Sequence, residues 1–259
     1  MASPTAVLET RDLTIQFGGH VAVNRVSCAF QAGTLTAIVG PNGAGKTTWF
    51  NLISGQLRAS AGSVHLFGED ITGLGVAARA DKGLGRAFQL TNLFPDLSAL
   101  ENVRLAVASR HRIGHVFWQM ASKRRDITDR AAEYLRQVNM HHRADDVVAN
   151  LSHGDQRKLE VALMLALEPT VFMFDEPTAG MSVDEVPVIL DLIAQIKQRE
   201  DKVVLLVEHK MDVVRSLADR IVVLHNGELV ADGEPTEVIA SPIVQEAYLG
   251  VAAEAEEGA

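Results

Sequence analysis

The chain has 259 residues, 47% hydrophobic and 22% charged, with Lys+Arg 24 against Asp+Glu 33 and a net charge of −9. These proportions suit one large globular domain, or a domain with a smaller lobe, and exclude wholesale disorder. A chain this acidic is a poor non-specific binder of nucleic acid, because phosphate backbones need clustered positive charge, so no nucleic-acid partner is expected.

Cys28 is the only cysteine, which excludes an internal disulfide and a Cys-based zinc site and leaves a buried small hydrophobe as its ordinary role. No apolar run approaches the ~18 residues of a spanning helix. The segment MASPTAVLETRD lacks the basic and apolar regions of a secretory signal. Any work at a membrane would need other chains to supply the membrane part.

In chain order, VLETRDLTIQF (7–17) and VAVNRVSCAF (21–30) read as strands bent together at Gly18 and Gly19. QAG (31–33) is a turn, and LTAIV (35–39) is a continuous apolar run of the kind found in buried parallel strands. A helix is expected from about Lys46, then a strand in GSVHLFG. From Gln89 to about Asn150 the pattern is helical, with Ala131, Leu135 and Val138 at helical spacing, and reads as an insert between two halves of one fold. LSHGDQ (151–156) opens a helix carrying Leu159, Leu163 and Ala166, which stops at Glu168-Pro169. VFMF (171–174) and VVLLV (203–207) are further buried strands. Between them, Val186, Ile189, Leu190, Ile193 and Ile196 mark an amphipathic helix. MDVVRSLA is a short helix, and IVVLHNGELVADG a hairpin with Asn226-Gly227 suited to a type I′ turn. Strands alternating with helices give an α/β fold. One domain is expected over 5–250, with 90–150 the start of a helical subdomain that extends into the LSHGDQ helix to about 168. Residues 251–259 read as a disordered acidic tail.

GPNGAGKTT (40–48) satisfies G-x-x-x-x-G-K-[ST] between a buried strand and a helix. Its backbone N–H groups, including those of Asn42, Gly43 and Gly45, are suited to curl around phosphate oxygens. Lys46 would reach the β- and γ-phosphates and the Thr47 hydroxyl would ligate Mg²⁺, with Thr48 and the helix start holding the remaining oxygens. An apolar strand then ends in Asp175, a carboxylate placed at a sheet edge to hold Mg²⁺. Glu176 beside it is a candidate general base for the attacking water. Alone, an Asp-Glu pair after a strand is more often a helix cap; with the phosphate loop, the catalytic reading is the stronger. A nucleoside triphosphate and Mg²⁺ are the expected ligands.

LSHGDQ, between a helical insert and the Asp-Glu strand, resembles the signature motif of ABC (ATP-binding cassette) ATPases. That resemblance implies a P-loop core with a mostly parallel sheet, an N-terminal antiparallel β subdomain and an inserted helical subdomain. It implies that Gln89 is the Q-loop glutamine sensing Mg²⁺ and the attacking water, that His209 is the switch histidine on the γ-phosphate, and that Phe17 stacks on adenine. It also implies that two cassettes pack head to tail. ATP then lies between the P-loop of one and the signature of the other, where Ser152 and the Gly154 N–H meet the γ-phosphate. Three positions depart from the family pattern: His153 stands at a usual glycine, Asp155 at a usual glutamine and Ser182 at a usual aspartate.

FGGHVAVNRVS, RAFQLTNLFPDLSALENV, AGMS, VEHKMDVV and EAYLG resemble more finely the branched-chain amino acid importers and their urea and amide relatives. The resemblance implies transmembrane permease subunits docked at LFPDLSALENV, a sister ATP-binding subunit, a periplasmic solute-binding protein acting indirectly, and a peripheral place on the cytoplasmic face of the inner membrane. Lipopolysaccharide-export ATPases share the Tyr-Leu-Gly end and are the competing resemblance. A soluble ATP-driven regulatory switch is the alternative of another class, and a metabolic kinase leaves LSHGDQ and His209 unexplained. Arg110, Arg112, Lys123, Arg124 and Arg125 read first as a solvated face of the helical segment and second as a contact to the membrane subunit or lipid headgroups.

Overall fold

The computed structural model describes residues 6–87, 93–110, 120–242 and 244–245, with the backbone alone for 120–124. Gln89, Arg112, the EAYLG segment, the acidic tail and the side chains of Lys123 and Arg124 lie outside the described residues. The chain groups into two compact units, one of Met1–Leu84, Thr170–Asp175 and Lys197–Ala259, the other of Gly85–Pro169 and Glu176–Ile196.

The first unit holds two sheets. β1 (Leu8–Phe17), β2 (His20–Phe30), β4 (Ala61–Leu66) and β5 (Glu69–Asp70) form an antiparallel sheet in the order β2-β1-β4-β5. The second sheet contains β3 (Thr34–Val39), β7 (Val171–Asp175), β8 (Val203–Val207), β9 (Arg220–His225) and β10 (Glu228–Gly233), with β6 (Leu84–Ala87) as its sixth strand, in the order β10-β9-β3-β8-β7-β6. β3 runs parallel to both β8 and β9, and β7 parallel to β8, while β9 and β10 form an antiparallel hairpin. All five residues of β7 and of β8 are buried, so these strands are apolar on both faces and show no alternation. The hairpin turn has φ 49° at Asn226 and 78° at Gly227, the two positive values that a type I′ turn requires.

After β3 the chain enters α1 (Lys46–Ser54), which buries Trp49, Phe50, Leu52 and Ile53 in the same apolar cluster as Phe30, Ile38 and Val207. The Trp49 and Phe30 rings lie 5.9 Å apart. Cys28 is buried and its thiol is pushed up to about 12, chiefly by desolvation, which suits packing and not reactivity.

Four short elements escape the sequence patterns: β5, β6, α2 (Val76–Asp81) and α8 (Pro235–Ala240). α2 carries Arg79, 2% exposed. Its Nη1 donates to the carbonyls of Leu52 (2.7 Å) and Ile53 (2.6 Å), its Nε to Leu74 (2.9 Å) and its Nη2 to Thr72 (2.9 Å). A guanidinium at the C-terminal end of α1 meets the carbonyls a helix leaves without intrahelical partners, and it opposes the negative end of the helix dipole. Arg79→Met would strip two buried and two partly buried carbonyls of a charged donor. It is expected to cost about 3 kcal/mol of stability, read from the midpoint of urea unfolding.

In the second unit α3 (Ala99–Arg110), α4 (Met120–Gln137) and α5 (His153–Ala166) pack on one another. Ala131, Leu135 and Val138 are all buried, as their spacing predicts. α5 stops where Glu168 turns left-handed, φ 48°, ahead of Pro169. α6 (Val186–Lys197) buries Ile189, Leu192, Ile193 and Ile196. Leu190, expected on that face, is only partly buried, and Leu192 takes the deeper place.

Candidate functional site

The parallel strands bring three chain segments to one sheet edge. Ile38 and Asp175 both pair with Val207, so the carboxyl ends of β3, β8 and β7 lie side by side. The glycine-rich loop leaves from β3, Asp175 ends β7, and Glu208 and His209 follow β8. Ligands of open α/β sheets bind at this edge.

Gly40 has φ 149°, and a Cβ there would fall on the Leu224 carbonyl. Gly45, φ 97°, is the N-cap of α1 and offers no capping side chain, and a helix start of this kind suits an anion. Asn42, Gly43 and Thr47 are exposed, and Thr48 is partly so. Lys46 is 6% exposed, and its Nζ donates to the carbonyls of Gly40 (2.7 Å) and Pro41 (2.9 Å). The ammonium is thus held inside the loop it would serve, limiting the freedom it must lose on meeting phosphate.

Asp175 is buried. Glu176, next in the chain, has φ 51°, an uncommon conformation for a residue with a side chain and one that clusters at functional sites. His209 is exposed, and its backbone N–H donates to Glu208 Oε2 at 2.8 Å. Glu208, 3% exposed, also accepts from the Lys210 N–H at 3.3 Å and sets the turn that presents His209. It went unrecognised in the sequence because a carboxylate between a strand and a turn has no distinguishing pattern. Phe17, at the end of β1, is half exposed, as suits a stacking surface. Mg²⁺ takes one or two protein oxygen donors, with phosphate and water completing the shell. The Thr47 hydroxyl and the Asp175 carboxylate are donors of that type.

The LSHGDQ turn belongs to the second unit. Ser152 is the N-cap of α5, its Oγ accepting the Asp155 N–H at 3.1 Å. Ser152 and His153 are exposed and Gly154 is buried. The negative charge of Asp155 is met locally: Oδ2 accepts from Arg143 Nη1 (2.7 Å) and Ser152 Oγ (3.0 Å), and Oδ1 from Lys158 Nζ (3.2 Å). Burial raises the Asp155 carboxyl, but these hydrogen bonds outweigh it and hold the group below the usual carboxylate range. The departure from glutamine therefore adds a paired charge.

LFPDLSALENV (93–103) belongs to the same unit. Phe94 is 54% exposed, with Leu97 and Val147 also exposed. Leu97 and Pro95 accept the N–H groups of Val148 and Ala149, each at 3.0 Å, so the two segments run together. Beneath them Asn102, buried, accepts the Phe94 N–H at 2.8 Å and donates to the carbonyls of Phe94 (3.1 Å) and Ser98 (2.9 Å). Its part in shaping this surface was not legible in the sequence, since an asparagine in a helix more often faces solvent.

Residues 23–179 match the family described as ABC transporter. The chain is 38% identical over 252 residues to the high-affinity branched-chain amino acid transport ATP-binding protein BraF of Pseudomonas aeruginosa, covering 95% of this chain and 98% of that one. It is 34% identical over 251 residues to the corresponding protein LivG of Escherichia coli, again covering 95% and 98%. Among solved structures it is similar to a nucleotide-free ATP-binding cassette from an ABC transporter, with TM-score 0.79 and 27% identity over 94% of this chain and 99% of that one. It is also similar to the dimeric structure of a bacterial ABC transporter cassette, with TM-score 0.77 and 25% identity over 88% and 98%.

Proposed function

The chain belongs to the ABC transporter family, and we propose that it is the ATP-binding and ATP-hydrolysing subunit of a membrane importer for branched-chain or other hydrophobic amino acids. The observation that carries the ATPase reading is the common edge of β3, β8 and β7, which gathers the glycine-rich loop, Asp175 and His209. The solute class rests on the names of the relatives that the chain matches over 95% of its length.

The phosphate chain lies against the loop N–H groups and the start of α1, with Lys46 on the β- and γ-oxygens. Thr47, Asp175 and Gln89 would hold Mg²⁺, which would supply positive charge between the phosphates. Glu176 takes the proton of the attacking water, His209 contacts the γ-phosphate, and Phe17 stacks on the base. A second cassette, a sister chain or another copy, completes the site with its own Ser152 hydroxyl and Gly154 N–H. The γ-phosphate then joins two polypeptides, and its loss lets them part, a two-state device that can drive another machine.

That machine is the pair of transmembrane permease subunits, with a periplasmic solute-binding protein acting through them, and the chain sits peripherally on the cytoplasmic face of the inner membrane. Among the described residues no helix is long and apolar enough to cross a membrane. The exposed Phe94 and Leu97 suit a helix of the permease laid across them. Phe94→Ala with Leu97→Asp is expected to lower recovery of the permease subunits on the purified chain by at least about tenfold while nucleotide affinity is unchanged; co-purification from native membrane followed by fluorescent-ATP titration checks both. The transport reading is tested by reconstituting the chain and its co-purifying permeases in liposomes with the solute-binding protein. Leucine, isoleucine and valine should enter in an ATP-dependent manner. A complex that moves none of the three overturns the assigned solute class.

A further inference from the structure

The segment after Asp175-Glu176 carries Ser182 where an aspartate is usual, yet it is tied to the LSHGDQ turn by a charged cluster. Glu185 Oε2 accepts from the Ser182 N–H (3.3 Å) and from the Ser182 hydroxyl (3.0 Å). Only the glutamate's half of a Ser-x-x-Glu capping box is made, the Glu185 N–H donating instead to the Ser182 carbonyl at 3.1 Å. Its other oxygen, Oε1, accepts from Lys158 Nζ at 2.9 Å, and the same ammonium donates to Asp155 at 3.2 Å. The side chains of Lys158 and Asp155 are only 11% and 13% exposed. Gly154 completes the join: a Cβ at that position would overlap both carboxylate oxygens of Glu185. The carboxylate, held by Ser182 and Lys158, could move away only by giving up those bonds.

A covered ion pair contributes little to stability beyond what a packed apolar pair would supply, because desolvation offsets most of the attraction. Its directional bonds do fix position. We infer that Lys158 and Glu185 are positioning residues that lock the Ser152–Gly154 turn to the Ser182–Glu185 segment, so that the two present themselves to a partner's ATP as one rigid piece. The inference rests on the reading that this turn meets the γ-phosphate of an ATP held by a second chain. It supplies a route by which γ-phosphate contact at the turn reaches Ser182 without an aspartate there. Arg143 extends the same cluster, since its Nε donates to Asp146 at 2.7 Å while its Nη1 holds Asp155.

The test uses the purified full chain and its Lys158→Met, Lys158→Arg and Glu185→Gln variants, with hydrolysis followed across ATP concentration and binding followed with a fluorescent ADP. Lys158→Met and Glu185→Gln should each raise the ATP concentration for half-maximal hydrolysis by about tenfold, the double variant being no worse than the worse single one. ADP affinity should stay within about twofold, because ADP has no γ-phosphate to meet the turn, and Lys158→Arg should restore most of the ATP response. If Lys158→Met disturbs folding, the isosteric Glu185→Gln carries the test. Unchanged ATP dependence in Glu185→Gln, or ATP and ADP affinities that fall together in it, overturns the inference, the second result marking plain structural damage. A parent chain whose turnover per molecule does not rise with its own concentration overturns the two-chain reading instead.

Discussion

Glu176→Gln is expected to lower ATP turnover by about 10²- to 10⁴-fold while ATP binding persists, the range lost when a positioned general base is removed. The amide has nearly the volume of the carboxylate and can occupy the same left-handed backbone at φ 51°, so the loss falls on proton acceptance and leaves the fold in place. Because the γ-phosphate is then retained, the ATP-joined pair of chains should accumulate. Size-exclusion chromatography should show a dimer with ATP and a monomer with ADP. A variant that hydrolyses ATP at the parent rate would remove Glu176 from its role. Slow turnover without association would leave the catalytic role intact and place the fault in the two-chain pocket.

Lys46→Ala should act at an earlier step, raising the dissociation constant for ATP by about 10²-fold, equivalent to the loss of one or two charge-assisted hydrogen bonds. In the structure the Lys46 ammonium also bridges the carbonyls of Gly40 and Pro41, so part of the loss would arise from a looser loop. Lys46→Arg separates the two contributions. It keeps the charge but places a planar fork where a compact ammonium fits between two carbonyls, and the affinity it fails to recover measures the geometric share. Titration with a fluorescent nucleotide gives both values. Unchanged affinity in Lys46→Ala would break the assignment of GPNGAGKTT as the phosphate loop.

The two variants also separate the two turns that this chain carries. In the proposed pairing Lys46 would serve the nucleotide held by its own chain, whereas Ser152 and Gly154 would serve one held by another. A mixture of Lys46→Ala and Ser152→Ala chains should therefore recover one intact composite site per pair, a result no single-chain pocket can produce.

The amino-acid sequence by itself determined the α/β class, the order of the long elements and the position of the phosphate loop. The physical reason is that each depends on local chemistry: VFMF and VVLLV are apolar throughout because both faces of a parallel strand are covered, and GPNGAGKTT contains the glycines that its backbone conformation demands. The short elements β5, β6, α2 and α8 escaped because two to six residues are too few to show a period. Only the tertiary structure decided which polar groups share an environment. Arg79 reads as an ordinary surface arginine until α2 folds back onto the end of α1 and buries it against four carbonyls. Asp155 reads as an unwelcome negative charge until Arg143 and Lys158 arrive beside it. Glu185 gains its meaning from a lysine 27 positions earlier in the chain. Hydrogen bonds and ion pairs act over a few ångströms of space with no regard for sequence separation, so their partners become known only when the chain has closed on itself.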